Sequence, residues 1–286
     1  MIKKLSRFFY KTLYYFDKIF FFITKRKLLI WFNEFLENDS YTELIILDRK
    51  INFFVPNQLV EFRVNSYFSK EPETIEWINS FSADEEIIFW DLGANVGLYS
   101  IYNAIKHKNS KTISFEPSTS NLRVLSRNIS INKFEKKIKI MPIPLTNVEN
   151  KFFTMKEGQF VEGSALNSFG ENFNFEGKNF QSEMNYTLLG TSINYLLDNK
   201  ILEIPDYIKI DVDGIEHLIL EGAMKYLSNQ KIKSLSIEIN ENFTEQYTKL
   251  IQIMKRHNFK ILHKKHNEQM FRNTKYDRSF NYIFIR

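Results

Sequence analysis

The stretch IKIDVDGIEH sets Lys209 and Asp211 two residues apart in a run that is otherwise apolar. In an extended chain such residues share one face. A lysine and an aspartate inside a buried strand are costly unless they pair or serve a reaction. Asp211 could accept or orient the proton of a hydroxyl, with Lys209 as its partner or as a substrate contact. The same pair reads as a structural ion pair, and both readings stand at this point. His217, at the mouth of the same strand, reads as a second base or as a structural ring. Asp213 and Glu216 fit a capping box, with Asp213 as N-cap. Glu238 closes SLSIEIN, a further place where an acid could face a bound acceptor.

The second chemical stretch is WDLGANVG, which spends two of only nine glycines just after an apolar run ending in Asp91. Gly93 permits a tight turn and close backbone approach, and Gly97 lets the next helix pack on the strand. Asn95 stands where a dinucleotide fingerprint has its second glycine, so the spacing does not match that fingerprint. A pyrophosphate needs bare amides at a helix start; the carboxylate of Asp91 suits a cationic ligand instead. Glu116 ends the following strand, where an acid can accept hydrogen bonds from ribose hydroxyls.

These residues need a frame. EIIFWDLG reads as a strand buried on both faces, followed by the helix LYSIYNAIKH. KTISFEP, KIKIMPIPLT, DYIKIDVDG and KSLSIEIN read as further strands, with helices over STSNLRVLSRNISIN, TSINYLLDN, IEHLILEGAMKYL and FTEQYTKLIQIMKRHNF. Such alternation predicts a doubly wound, mostly parallel sheet. FKILHKK and FNYIFIR follow one another without a helix, which predicts an antiparallel ending. Ahead of this core, residues 41–64 read as two or three short strands, and KEPETIEWINSF as a helix opened by Pro72. Residues 150–190 read as an irregular loop, a lid over the site.

Composition narrows the setting. There is no cysteine, which removes disulfides and thiolate chemistry and fits a cytoplasmic location. Five histidines show no ligand spacing, so no metal is expected. Residues 1–30 hold eight Lys/Arg against Asp17 alone, a net of +7, while the remainder nets −2. Nucleic acid is therefore not an expected partner of the body. In residues 1–36, Lys4, Lys11, Lys18 and Lys25 recur every seven residues among aromatic side chains. Charges cut that segment too finely for the roughly 20 apolar residues of a membrane span or for a signal peptide. It is expected either to pack on the body or a second subunit, or to lie peripherally on the inner face of a membrane.

FSKEPETIEWI, FWDLGANVGLYSIY, SFEPSTSNLRVLSRNISIN, SALNSFGE, IKIDVDGIEHLILEGA and SLSIEIN together resemble the FkbM family of S-adenosylmethionine-dependent methyltransferases, from about residue 50 onward. The resemblance implies a Rossmann-like class I methyltransferase fold over residues 46–286, with leading elements at 46–82 and a core at 83–286; residues 1–45, read as a basic aromatic helical extension, lie outside it. It implies O-methylation of a hydroxyl, with a sugar, polysaccharide or glycoconjugate precursor as the expected acceptor. S-adenosylmethionine, with its ammonium and sulfonium, is a cationic ligand of the kind Asp91 suits. On this resemblance Asp91, Gly93, Asn95 and Gly97 would line the methionine part of the cofactor, Glu116 would hold the ribose, Asn121 would orient the adjoining loop, and Leu145–Thr146 would lie near the adenine. Where the family more often shows Glu, Asp213 stands here. A non-catalytic scaffold on the same fold and a nucleotide-dependent oxidoreductase are the alternatives.

Overall fold

The computed structural model describes residues 1–82 and 85–286. The expected start of the core at residue 83 falls outside the described residues. The chain opens with helices α1 (Ile2–Thr24) and α2 (Leu28–Asp39), a hairpin rather than one continuous helix. The break is at Lys25, in the left-handed region at φ 60°. Asp17 cements it: buried, it accepts the free backbone N–H groups of Leu28 (2.5 Å) and Leu29 (3.1 Å) at the start of α2. No helix among the described residues is long and apolar enough to cross a membrane.

Strands β1 (Tyr41–Ile46) and β2 (Arg49–Phe54) form an antiparallel pair. The expected third strand is instead helix α3 (Gln58–Asn65). Val60, Phe62 and Val64 alternate like a strand, but Asn57 caps the segment by accepting from Leu59 N and Val60 N. Short α4 (Tyr67–Lys70) and α5 (Pro72–Asn79) follow, with Pro72 in the first turn as expected.

The core alternates β3 (Ile87–Leu92), α6 (Leu98–Lys106), β4 (Ser110–Phe115), α7 (Thr119–Ile131) and β5 (Ile138–Met141). Residues 150–190, expected to be irregular, hold a three-stranded antiparallel sheet of β6 (Lys151–Glu157), β7 (Ser168–Phe169) and β8 (Met184–Gly190). The chain then runs through α8 (Ile193–Asp198), β9 (Tyr207–Ile210), α9 (Glu216–Glu221), β10 (Ser234–Asn240) and α10 (Thr244–Arg256). It ends in β11 (Lys260–Lys265), the single-turn α11 (Glu268–Phe271), which the sequence reading lacked, and β12 (Ser279–Ile285).

The central sheet has the order β11-β12-β10-β9-β3-β4-β5, and β12 alone runs against the others. All of β3 is buried: Ile87 and Phe89 pack toward α5, α6 and α7, while Ile88, Trp90 and Leu92 pack toward α8, α9 and α10. Strand order reverses between β3 and β9, so a crevice opens where their carboxyl ends diverge. Asp91 lies in register with Lys209 across that seam.

Candidate active site

A cavity of about 450 Å³ fills the crevice, a size ordinary for a small-molecule site. Its floor is the ends of β3, β4, β9 and β10: Gly93, Glu116, Asp211, Asp213 and Glu238. Ile143, Leu145 and Phe115 line one apolar side. Leu59, Phe62 and Arg63 descend from α3, one face of a helix at i, i+3 and i+4. Met270, Phe271 and Tyr276, between β11 and β12, supply an aromatic outer wall.

The turn after β3 uses positive φ three times, at Gly93 (83°), Asn95 (50°) and Gly97 (89°). Asn tolerates that region better than most residues, which explains how it replaces a glycine there. Gly93 is demanded by its neighbour: a Cβ would come within 1.9 Å of the Asp211 carbonyl oxygen. The close approach is thus between two strands. Gly97 packs on Leu125 and does not reach the cavity wall.

Glu116 accepts the amides of Asn95 and Ser118, each at 2.8 Å. Burial nevertheless pushes its pKa up to about 7. Asn95 and Asn121 both donate to the Ser164 carbonyl, at 2.8 and 3.1 Å, and Asn121 accepts from Gly163 N at 2.8 Å. Asn121 therefore orients the loop of residues 163–167, which is distant in sequence. Asp213 holds the other end of that loop through the amides of Leu166 (2.7 Å) and Asn167 (3.2 Å). It is no N-cap: it sits at φ 64° with α9 starting three residues later, and burial and then Asp211 raise its pKa to about 6. Glu216 alone turns back on the loop, accepting from Val212 N and Gly214 N.

Lys209 and Asp211 do pair, Nζ to Oδ2 at 2.7 Å. The lysine is 2% exposed and the aspartate 23%, open toward the cavity. Burial pulls Lys209 down, but Asp211, Glu71 and Asp91 outweigh it and hold its pKa above the usual lysine range. Burial pushes Asp211 up, yet Lys209 and Lys70 keep it below the usual carboxylate range. Glu238, hydrogen-bonded to Asp211, goes the other way: burial, then the charges of Asp211 and Glu71, raise it well above its ordinary value. Burial and charge thus push the two carboxyls in opposite directions, Glu238 toward its protonated form and Asp211 toward its charged one.

Placement corrects the expectations for Asp91, Gly97, Thr146 and His217, none of which lines the cavity. Asp91 does not line the cavity; it is buried beneath the turn, accepting from Ser100 Oγ at 2.6 Å, because its position on β3 points it between α6 and Lys209. Thr146 is buried against Gly222 and Thr191, whereas Leu145 does reach the wall. His217 turns away toward α10, edge-on to Phe243 at 6.2 Å between ring centres. As a second member of α9 it faces α10 while Asp213 faces the cavity. The predicted lid is a braced loop attached to a sheet. Sequence reasoning missed Lys70, which lines the cavity, and its ion-pair partner Glu71, which lies beside Lys209 in an adjoining recess and accepts from Tyr99 at 2.9 Å. A Lys-Glu dipeptide before a proline carries no signal of its own. Among the described residues no three His, Asp or Glu side chains are grouped to hold a metal ion.

This strand order, with one antiparallel strand inserted beside β10 and the cavity at the reversal point, defines a class I methyltransferase fold. A family model, the methyltransferase FkbM domain, matches residues 91–261, and the chain belongs to that family. Methyltransferase sdnD of Sordaria araneosa is 28% identical over 152 residues, covering 46% of this chain and 59% of that protein. The match thus spans less than two thirds of that relative's length. Among solved structures, precorrin-6Y C5,15-methyltransferase of Geobacter metallireducens is similar at 12% identity and a TM-score of 0.43, over 76% of this chain and 89% of that one. The P. horikoshii TYW2 structure in complex with MeSAdo is similar at 13% identity and 0.44, over 86% and 70%.

Proposed function

We propose that the chain is an S-adenosylmethionine-dependent O-methyltransferase, with a hydroxyl of a sugar or glycoconjugate precursor as acceptor. The observation that carries the reading is Asp211, a carboxylate held by a buried lysine at the floor of a cavity beside the glycine turn.

The residues fit a polar, cationic donor. Asn95 Oδ1, Ser164 Oγ and Asn167 Oδ1 belong to wall residues, are buried and have no hydrogen-bond partner; unpartnered buried acceptors of this kind call for a donor. They suit an ammonium or hydroxyl groups. Glu116 would accept from ribose hydroxyls, and Ile143, Leu145 and Phe115 offer an apolar surface for a base. When bound, the cofactor supplies an electrophilic methyl group.

The remaining work falls to the chain. Asp211, with Oδ2 held by Lys209, would accept the acceptor's hydroxyl at Oδ1 and set its angle of attack. A depressed pKa makes Asp211 a weak base. That suffices, because an alcohol gaining a methyl group becomes far more acidic than any carboxylic acid. As the acceptor oxygen gains the methyl group that the cofactor's sulfonium would give up, its proton would pass to Asp211, and the neighbouring Glu238 carboxyl would stay hydrogen-bonded to it. Phe62, Phe271 and Tyr276 would exclude water and stack on the apolar faces of a sugar ring.

The experiment is transfer of isotopically labelled methyl from S-adenosylmethionine to a panel of saccharides and polyketide alcohols, with calorimetric titration of the cofactor, its demethylated product and NAD. Label on a hydroxyl oxygen supports the reading. Saturable cofactor binding with no label on any acceptor would turn it toward a binding protein; NAD binding would overturn it.

A further inference from the structure

We infer that the α1–α2 hairpin docks the protein on an anionic bilayer surface, with α1 lying in the plane of the headgroups. At 3.6 residues per turn, Lys3, Lys4, Arg7, Lys11 and Lys18 fall within an arc of about 100° around α1. Leu5, Phe8, Phe9, Phe16, Ile19 and Ile23 occupy a similar arc across the helix, and every one of them is exposed. On α2, Ile30, Trp31 and Phe35 are exposed as well. A surface helix that packed on its own body would bury such a face; this one buries only Asp17.

Charge selects the occupant. The one acid of α1 is turned inward onto the start of α2, so no carboxylate on α1 itself offsets its cations; the acids of the hairpin surface, Glu34, Glu37 and Asp39, all lie on α2. Lys25, Arg26 and Lys27 add to them at the bend. The hairpin, with eight cations against Asp17, Glu34, Glu37 and Asp39, keeps a net charge of +4, so a second copy would set like charge against like, which opposes self-association. Anionic lipid satisfies both faces at once: headgroups meet the basic arc and the boundary of the acyl chains receives the aromatic one. Trp31 is of the residue type that prefers that boundary. The hairpin stays tethered to the core through Glu37, which pairs with Arg123 at 2.6 Å and Arg127 at 2.8 Å on α7.

The test is flotation of the full chain with phosphatidylcholine vesicles and with vesicles that also contain phosphatidylglycerol. Flotation with the second and little with the first, weakening as salt is added, is the expected result. Combining Lys4→Gln, Lys11→Gln and Lys18→Gln should lower partitioning on the order of 100-fold. Combining Phe9→Asn and Phe16→Asn should weaken it too with charge unchanged. All five positions are exposed, so the far-ultraviolet dichroism and melting of the core should match the parent. Equal flotation of the parent and the lysine variant would overturn the inference. So would absence of flotation with anionic vesicles, or sedimentation of a lipid-free dimer that the Phe9→Asn, Phe16→Asn variant dissolves while vesicles bind neither form.

Discussion

Asp91 and Lys209 stand side by side in register on β3 and β9, yet the lysine reaches past the aspartate to pair with Asp211 at 2.7 Å. One buried cation thus serves two carboxylates, one sealed below the glycine turn and one open to the cavity. Asp211→Asn removes the open charge and leaves Lys209 beside Asp91 and Glu71. Turnover should fall at least about 100-fold, with cofactor affinity within a few-fold of the parent. Labelled-methyl transfer and calorimetry read the two separately, and near-normal turnover would remove Asp211 from the proton's route.

The two glycines of the turn should respond unequally. Gly93→Ala puts a Cβ against an immobile carbonyl at 1.9 Å and at φ 83°. A loss of about 3 kcal/mol in unfolding free energy is expected. Gly97→Ala, at φ 89°, meets only the end of the Leu125 side chain at 2.6 Å. Its loss should stay near the ~1–2 kcal/mol of the backbone conformation itself. Denaturant titration of both variants gives the ranking, and the reverse order would contradict the strand-to-strand role of Gly93.

If Glu116 holds the cofactor as proposed, cofactor affinity should depend on pH. Its pKa is raised by burial to about 7, so near pH 6 it holds a proton that a hydrogen bond from a ligand hydroxyl would have to displace. Affinity should rise by up to about tenfold per pH unit toward pH 7 and then level off. Stability runs the opposite way: an acid with a raised folded pKa binds more protons folded than unfolded between 4.5 and about 7, so its contribution falls as pH rises through that window. Asp213, raised to about 6, and Glu216, raised to about 7, act in the same direction on stability. Calorimetry and thermal melts across this range check both signs.

Asn121→Ala removes two hydrogen bonds from the loop, to the Ser164 carbonyl and from the Gly163 amide. A stability loss of about 1–3 kcal/mol is expected from the unsatisfied groups. Hydrogen exchange at residues 163–167 should accelerate in the variant while exchange in β3 and β9 does not change.

The strand–helix alternation made the core legible, because buried parallel strands such as IIFWDL are continuous apolar runs and two of the helices between them, α7 and α8, open on serine caps. The family was legible from motifs at strand ends, and so was the placement of Glu116 and Asp211 at the strand ends that floor the cavity. What escaped depended on distant pairing or on which way a helix turned. KFFTMKE and MNYTLLG pair across 26 intervening residues rich in Asn and Gly, and neither run announces its partner. The alternation of Val60, Phe62 and Val64 satisfies two periods at once, and only the Asn57 cap decides for helix. His217 shares the mouth of β9 with Asp213 in sequence, but the rotation of α9 separates them in space.

The loop over the glycine turn is held at five points, by Asn95 and Asn121 at Gly163–Ser164 and by Asp213 at Leu166–Asn167. Its conformational entropy is surrendered once, when the chain folds, and not again at each encounter with a ligand. Association on this side of the cavity is therefore a docking onto finished walls, and its heat should report contacts made rather than backbone ordered.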